Sequence, residues 1–157
     1  QTSYPVAIKL PGGPMISDGS RVTKDFGRLN RYEVAQTGEK IAIIGLGTFF
    51  ELAKEAAKLL KEEAGINATV INPYYITGLD EALLTKLKQN HDTVITLEDG
   101  ILDGGFGEKI ARFYGASNMK VMNYGLKKEF LDRYDVDAVL KENHLTAEQI
   151  VEDVLSI

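Results

Sequence analysis

Apolar residues fall along this chain in two patterns. KIAIIG at 40–45 and TVITL at 93–97 are nearly continuous apolar runs, of the kind needed by a strand buried on both faces. Between them, FFELAKEAAKLLKEEAG at 49–65 sets Phe49, Leu52, Ala56, Leu59 and Leu60 at helical spacing. Gly65 stands where a helix C-terminus favours glycine. The alternation continues with NATVI at 67–71, a strand broken by Asn72-Pro73, and a helix over 80–90 with Asp80 as its N-cap. Residues 107–114 are helical, MKVMN at 119–123 is a further strand, and residues 130–143 are helical in part, with Asp135 as cap. Thr146 and Gln149 form the spacing of a capping box ahead of a last helix. YEVAQ at 32–36 predicts an edge strand, turned by Thr37-Gly38. Strands alternating with helices imply right-handed crossovers and a mostly parallel sheet covered on both faces, which is the α/β class.

The first residues do not share this order. YPVAIKL at 4–10 predicts a short strand, stopped by Pro11-Gly12-Gly13-Pro14, and the polar stretch MISDGSRVTKDFGRLN predicts a connector. One α/β domain therefore spans about 30–157, behind a segment of 1–29 that belongs to something else. The sequence opens at Gln1 without an initiating Met and runs at once into a strand pattern, so an excised piece of a longer protein is expected.

Composition narrows the function classes. With 157 residues, 44% hydrophobic and 26% charged, the chain can bury a real core and is not disordered. A net charge of −5 argues against nucleic acid and anionic membranes as partners. No apolar run approaches the roughly 20 residues that span a bilayer. The absence of cysteine excludes disulfides, thiolate metal sites and a cysteine nucleophile, and fits a cytoplasmic setting.

Two glycine-bearing joins invite a ligand. GLGTFFE at 45–51 has two glycines of a dinucleotide fingerprint, but Phe50 stands where the third belongs, and the following strand ends in Asn72 instead of an acid. The bland reading is a tight turn in which glycine lets backbone pass close. LEDGILDGGFGEKI at 97–110 combines a strand end, a glycine-dense loop and a helix start, the arrangement that presents backbone N–H groups to an anion. Glu98, Asp99 and Asp103 flank that spot and would repel a phosphate. As metal ligands the three acids match no calcium-loop spacing. The favoured reading is an interface or packing loop: Gly104, Gly105, Phe106 and Gly107 admit the next helix or a neighbouring domain. Glu98 and Asp99 would face solvent or a partner's basic groups. His91 and His144 follow helices and are expected to cap them. Phe49, Phe50, Tyr74, Tyr75, Phe106, Phe113 and Tyr114 would fill a core or an interface. No nucleophile elbow, base or metal set is present, so no catalytic residue and no metal ligand is assigned.

The order of segments resembles the C-terminal part of the 1-deoxy-D-xylulose-5-phosphate synthase family, thiamine-diphosphate enzymes of the transketolase superfamily. VAIKLPGG is similar to the family's P-x-A-I-R-x-P-x-G. Thr77-Gly78-Leu79-Asp80-Glu81 is similar to K-P-L-D-E. Glu98-Asp99 with Gly104-Gly105-Phe106-Gly107 matches the acidic and G-G-F-G element, and Gly125-Leu126-Lys127-Lys128-Glu129-Phe130 stands where the family has G-L-P-D-x-F. The resemblance implies a three-layer α/β/α domain with a five-stranded sheet carrying one antiparallel edge strand. It makes residues 1–29 the tail of a pyrimidine-binding domain and its linker. It further implies a parent enzyme of isoprenoid biosynthesis that binds thiamine diphosphate and magnesium in its other domains, acts on pyruvate and glyceraldehyde 3-phosphate, and works as a cytoplasmic homodimer. In that parent this domain would pack against the missing N-terminal and pyrimidine-binding domains and support the dimer; by itself it would bind no cofactor and be inactive. Lys9 would retain a charge toward the acceptor phosphate, whereas Gly12 replaces an arginine the family often carries. Transketolase or a 2-oxoacid dehydrogenase E1 β subunit is the alternative parent. A stand-alone α/β interaction module is a further alternative.

Overall fold

The computed structural model describes Pro5 and residues 29–156. The strand expected at 4–10, most of the connector, and the positions Lys9 and Gly12 lie outside the described residues. Five strands and five helices follow in order: β1 Glu33–Gln36, β2 Lys40–Gly45, α1 Phe49–Ala64, β3 Thr69–Asn72, α2 Glu81–Leu87, β4 His91–Ile101, α3 Phe106–Tyr114, β5 Lys120–Leu126, α4 Val136–Glu142 and α5 Ala147–Leu155. The strands form one sheet in the order β1-β3-β2-β4-β5. β2, β3, β4 and β5 are parallel, and β1 closes one edge antiparallel to β3.

The period-two geometry of a strand divides the core between two faces. Ile41 and Ile43 of β2 point to one side, where they meet Ala53, Ala56 and Leu60 of α1 and Ile150, Val151 and Val154 of α5. Ala42 and Ile44 point to the other, against Leu84 and Leu87 of α2 and Phe106, Ile110 and Tyr114 of α3. Three layers result, helices on both faces of the sheet. Because β2 and β4 are central, every residue of β2 after Lys40 is buried, which explains its uninterrupted apolar run.

Three helix starts are capped as their sequence predicts. Asp80 accepts the Leu83 N–H, Asp135 the Ala138 N–H, and Thr146 the Gln149 N–H. In place of the capping box's reciprocal bond to the Thr146 N–H, the Gln149 side chain accepts from the Thr146 hydroxyl at 3.2 Å and donates to the Lys141 carbonyl at 3.0 Å.

Several boundaries differ from the sequence reading. β3 begins at Thr69, two residues after the expected start at 67: the Asn67 carbonyl is taken by the Glu39 N–H and the Ala68 carbonyl by the Gln36 side chain at 2.8 Å. α2 stops at Leu87 because Gln89 and Asn90 close turns onto Lys86 and Leu87. β4 runs from His91 to Ile101, well past the apolar run, and so carries Glu98 and Asp99 within the strand. Its pairing with β5 breaks register between Leu97 and Ile101, an irregularity at the carboxyl end of the sheet. Within 130–143 only Val136–Glu142 is helical, and that helix buries none of its side chains.

Candidate functional site

The carboxyl end of β4, the turn through Gly104-Gly105 and the first turn of α3 converge on one side chain. Glu98 is only 5% exposed. One carboxylate oxygen accepts the Phe106 N–H at 2.8 Å and the other accepts the Gly107 N–H at 3.0 Å. These are the orphan donors of a helix N-terminus, the groups that would otherwise greet an anion. Gly105, the N-cap residue of α3, offers no side chain to them. Glu98 does the capping from the neighbouring strand, and a negative group at that end also meets the favourable pole of the helix dipole.

The glycines are what let it in. A Cβ on Gly105 would lie 2.6 Å from both Glu98 oxygens, and a Cβ on Gly107 would lie 2.7 Å from the Thr96 hydroxyl and the Asn123 side chain. Thr96 in turn donates to Asn123 at 2.8 Å, fastening β4 to β5 beneath the turn. The expectation that both family acids face solvent is corrected for Glu98, because the alternation of β4 puts it on the same face as Val94 and Thr96, under the start of α3. Asp99 is exposed as expected. Asp103 is exposed too, 3.9 Å from the exposed Lys128, a pair that contributes little in water.

The other glycine-bearing join is tight for a different reason. A Cβ on Gly45 would meet the Phe49 carbonyl at 2.6 Å and the Ala53 methyl at 2.9 Å. There glycine lets β2 touch the first turn of α1, the bland reading of GLGTFFE.

A second polar group, which periodicity does not announce, lies beside α2. Asp80 caps α2 and also accepts the Tyr32 N–H at 3.1 Å and the Arg31 guanidinium at 3.0 Å. Asn30 accepts the Gly78 N–H at 2.8 Å, and the Tyr32 hydroxyl donates to the Gly78 carbonyl at 3.3 Å. The entry to β1 is thus clasped to the loop before α2. Tyr32 packs edge-on against Phe106, with ring centroids 6.2 Å apart, linking this clasp to the start of α3. Burial pushes the Tyr32 hydroxyl up to about 12, so it stays neutral at physiological pH. Only the capping half of the Asp80 role was legible, from the polar residue preceding a helix.

Neither histidine joins a catalytic pair. His91 caps α2: its Nδ1 donates to the Leu87 carbonyl at 3.1 Å, and its Nε2 accepts from the Thr69 hydroxyl at 2.8 Å. The Leu87 carbonyl can only accept, which fixes that tautomer. Burial lowers the ring's pKa below its ordinary value, against the opposing pull of the Leu87 hydrogen bond and of Asp92 and Glu39. His144 follows α4 and its N–H bonds the Lys141 carbonyl, but its ring pairs with Asp153 at 2.9 Å instead of capping. Tyr124 donates to the same Asp153 oxygen, and Tyr114 donates to the Leu84 carbonyl; burial raises both hydroxyls far above neutrality. Of the aromatics, Phe106 and Tyr114 fill the core, whereas Tyr74 is exposed and Phe49, Phe50, Tyr75 and Phe113 are half-buried. Among the described residues, no three His, Asp or Glu side chains gather as a metal site. No helix among them is long and apolar enough to cross a membrane.

Comparison with known proteins follows the same outline. Residues 30–150 match the family described as transketolase, C-terminal domain. The 1-deoxy-D-xylulose-5-phosphate synthase of Lysinibacillus sphaericus is 31% identical over 153 residues, covering 94% of this chain and 24% of the relative. That of Symbiobacterium thermophilum is 35% identical over 150 residues, covering 94% and 23%. The chain thus spans about a quarter of the length of these relatives. Among solved structures, a split-gene transketolase described as an inactive β4 tetramer superposes with a TM-score of 0.75 at 27% identity, covering 90% of this chain and 45% of that one. The transketolase of Campylobacter jejuni superposes with a TM-score of 0.58 at 18% identity over 82% of this chain and 19% of its own, which speaks to the fold alone.

Proposed function

The chain belongs to the family of transketolase C-terminal domains, and from that membership we propose that it is the supporting domain of a longer thiamine-diphosphate-dependent transferase of the 1-deoxy-D-xylulose-5-phosphate synthase type. The whole enzyme would decarboxylate pyruvate and join the remaining two-carbon unit to glyceraldehyde 3-phosphate. The observation that carries this reading is the mismatch of coverage: relatives match 94% of this chain, yet it spans only 23–24% of them. The chemistry is then expected elsewhere in the parent. Thiamine diphosphate and magnesium do not fit the described residues. The helix N-terminus best formed to receive a diphosphate already holds Glu98, and no metal-ligand cluster stands among them. The domain's own part is to pack against the parent's other domains and to support a homodimer in the cytoplasm. Lys9 is proposed as a contact to the acceptor phosphate, with Gly12 in place of the arginine the family often carries.

The test is an assay of the product of the whole gene with pyruvate, glyceraldehyde 3-phosphate, thiamine diphosphate and magnesium. Formation of 1-deoxyxylulose 5-phosphate with release of CO2 is expected, and the 157-residue chain alone should give neither. A second reading, a transketolase parent, is favoured by the likeness to the split-gene transketolase at 27% identity. Turnover of xylulose 5-phosphate without turnover of pyruvate would select it.

A further inference from the structure

Most of the large apolar residues left exposed share one end of the sheet; Val34, within β1, and Leu155, closing α5, do not. Tyr74 and Ile76 follow β3, Ile101 closes β4, and Phe130 and Tyr134 follow β5; all are exposed, Phe130 at 96%. Leu29, also exposed, precedes β1, and because β1 runs antiparallel its start lies at that same carboxyl end. The approach of Lys128 to Asp103 holds the segment after β5 beside the turn after β4. Four inter-strand spacings of about 4.8 Å make this rim roughly 19 Å across. Apolar surface of this extent marks a contact with another protein surface more often than chance exposure.

We propose that the rim is the docking surface for the domain that precedes this one in the parent chain, an inference that rests on the parent proposed above. The topology favours this occupant. The polypeptide enters the described fold at Leu29, on the rim itself, so whatever lies upstream is delivered to that end of the sheet. The clasp of Asn30, Arg31 and Tyr32 onto Gly78 and Asp80 fixes the direction of entry. The partner face is apolar; nucleic acid and anionic lipid are disfavoured by the net charge of −5. Phe130, beside the β5 edge, is the most exposed anchor, an aromatic side chain that contributes nothing to the core and is placed to enter a partner's pocket.

The chain has no cysteine, so one introduced thiol can be followed at a known position. Phe130→Cys is made in the 157-residue chain and in the whole gene product, and maleimide labelling at position 130 is timed by peptide mapping. Glu63→Cys is the control: it sits in the exposed last turn of α1, at the opposite end of the sheet. Labelling at 130 should be at least tenfold slower in the whole product, with labelling at 63 unchanged. Equal rates at 130 in a product that does carry an upstream domain would overturn the docking surface while leaving the parent standing. A gene product with no upstream domain would sink the parent itself. Protection that arises in the 157-residue chain and grows with its concentration would assign the rim to a second copy and overturn the proposal.

Discussion

After β2 the chain turns through Gly45-Leu46-Gly47 into α1; after β4 it turns through Gly104-Gly105 into α3. On paper both joins suggest a phosphate site, and in the fold the first amides of each helix are already bonded, for different reasons. At α1 the first N–H groups close back on the turn itself, Phe49 onto the Leu46 carbonyl at 2.9 Å and Phe50 onto that of Gly47 at 3.2 Å. At α3 they bond a carboxylate brought from the strand. A glycine-rich join therefore becomes an anion site only when neither backbone nor side chain has claimed its donors. Local backbone satisfies α1, and tertiary structure satisfies α3.

That contrast can be tested most severely at Gly105. Gly105→Val drives side-chain carbon into both Glu98 oxygens and should destabilise the domain by about 3 kcal/mol, the upper end of overpacking costs, lowering the melting temperature by roughly 10 °C. An unchanged melting temperature would mean that the cap is not fixed as described. Glu98→Ala comes next. Stripping the helix of its acceptor should cost about 2 kcal/mol, and inorganic phosphate should then raise the melting temperature of the variant but not of the native chain. Equal stabilisation of both would show that the native N-terminus is open and would break the distinction between the two joins. Gly47 is milder: it has open space around it but a φ of +53°. Gly47→Ala should cost only about 1 kcal/mol of backbone strain, and thermal melts of the two glycine variants side by side would rank the joins.

The smallest effect concerns a helix end of the opposite kind. His91 caps α2 as a neutral ring, and burial sets its folded pKa below the ordinary 6.5. Below pH 6.5 the unfolded chain binds the proton more readily, so stability is fully present above that value and declines as pH falls toward the folded pKa. Urea melts between pH 7.5 and 5.5 should show this decline, and His91→Asn should flatten it.

These sites also mark what sequence could convey. Caps whose donor and acceptor lie three residues apart, at Asp80, Asp135 and Thr146, were legible because the geometry is local. The run KIAIIG was legible because a strand covered on both faces tolerates no charge. Glu98 was not, because its partners lie eight and nine residues away and meet it only when α3 folds back over β4. An acid within a loop motif reads as solvated until the fold buries it. Tyr74 was opaque in the reverse sense: it was counted among the aromatics that fill a core or an interface, and it is exposed. The rest of the Asp80 role was missed for a related reason: Arg31, on the capping oxygen, and Tyr32, on the other, are nearly fifty residues distant in sequence.

Helix α4 fully buries no side chain, so its seven residues are held by the Asp135 cap, by half-buried Leu140 against the core and by the Gln149 bond to Lys141. A helix that short with so few neighbours is marginal, and its amides should trade hydrogen for deuterium faster than those of α1, α3 and α5. Any body that came to rest against it would slow that trade, leaving the protein with an internal gauge of its own assembly that needs no label.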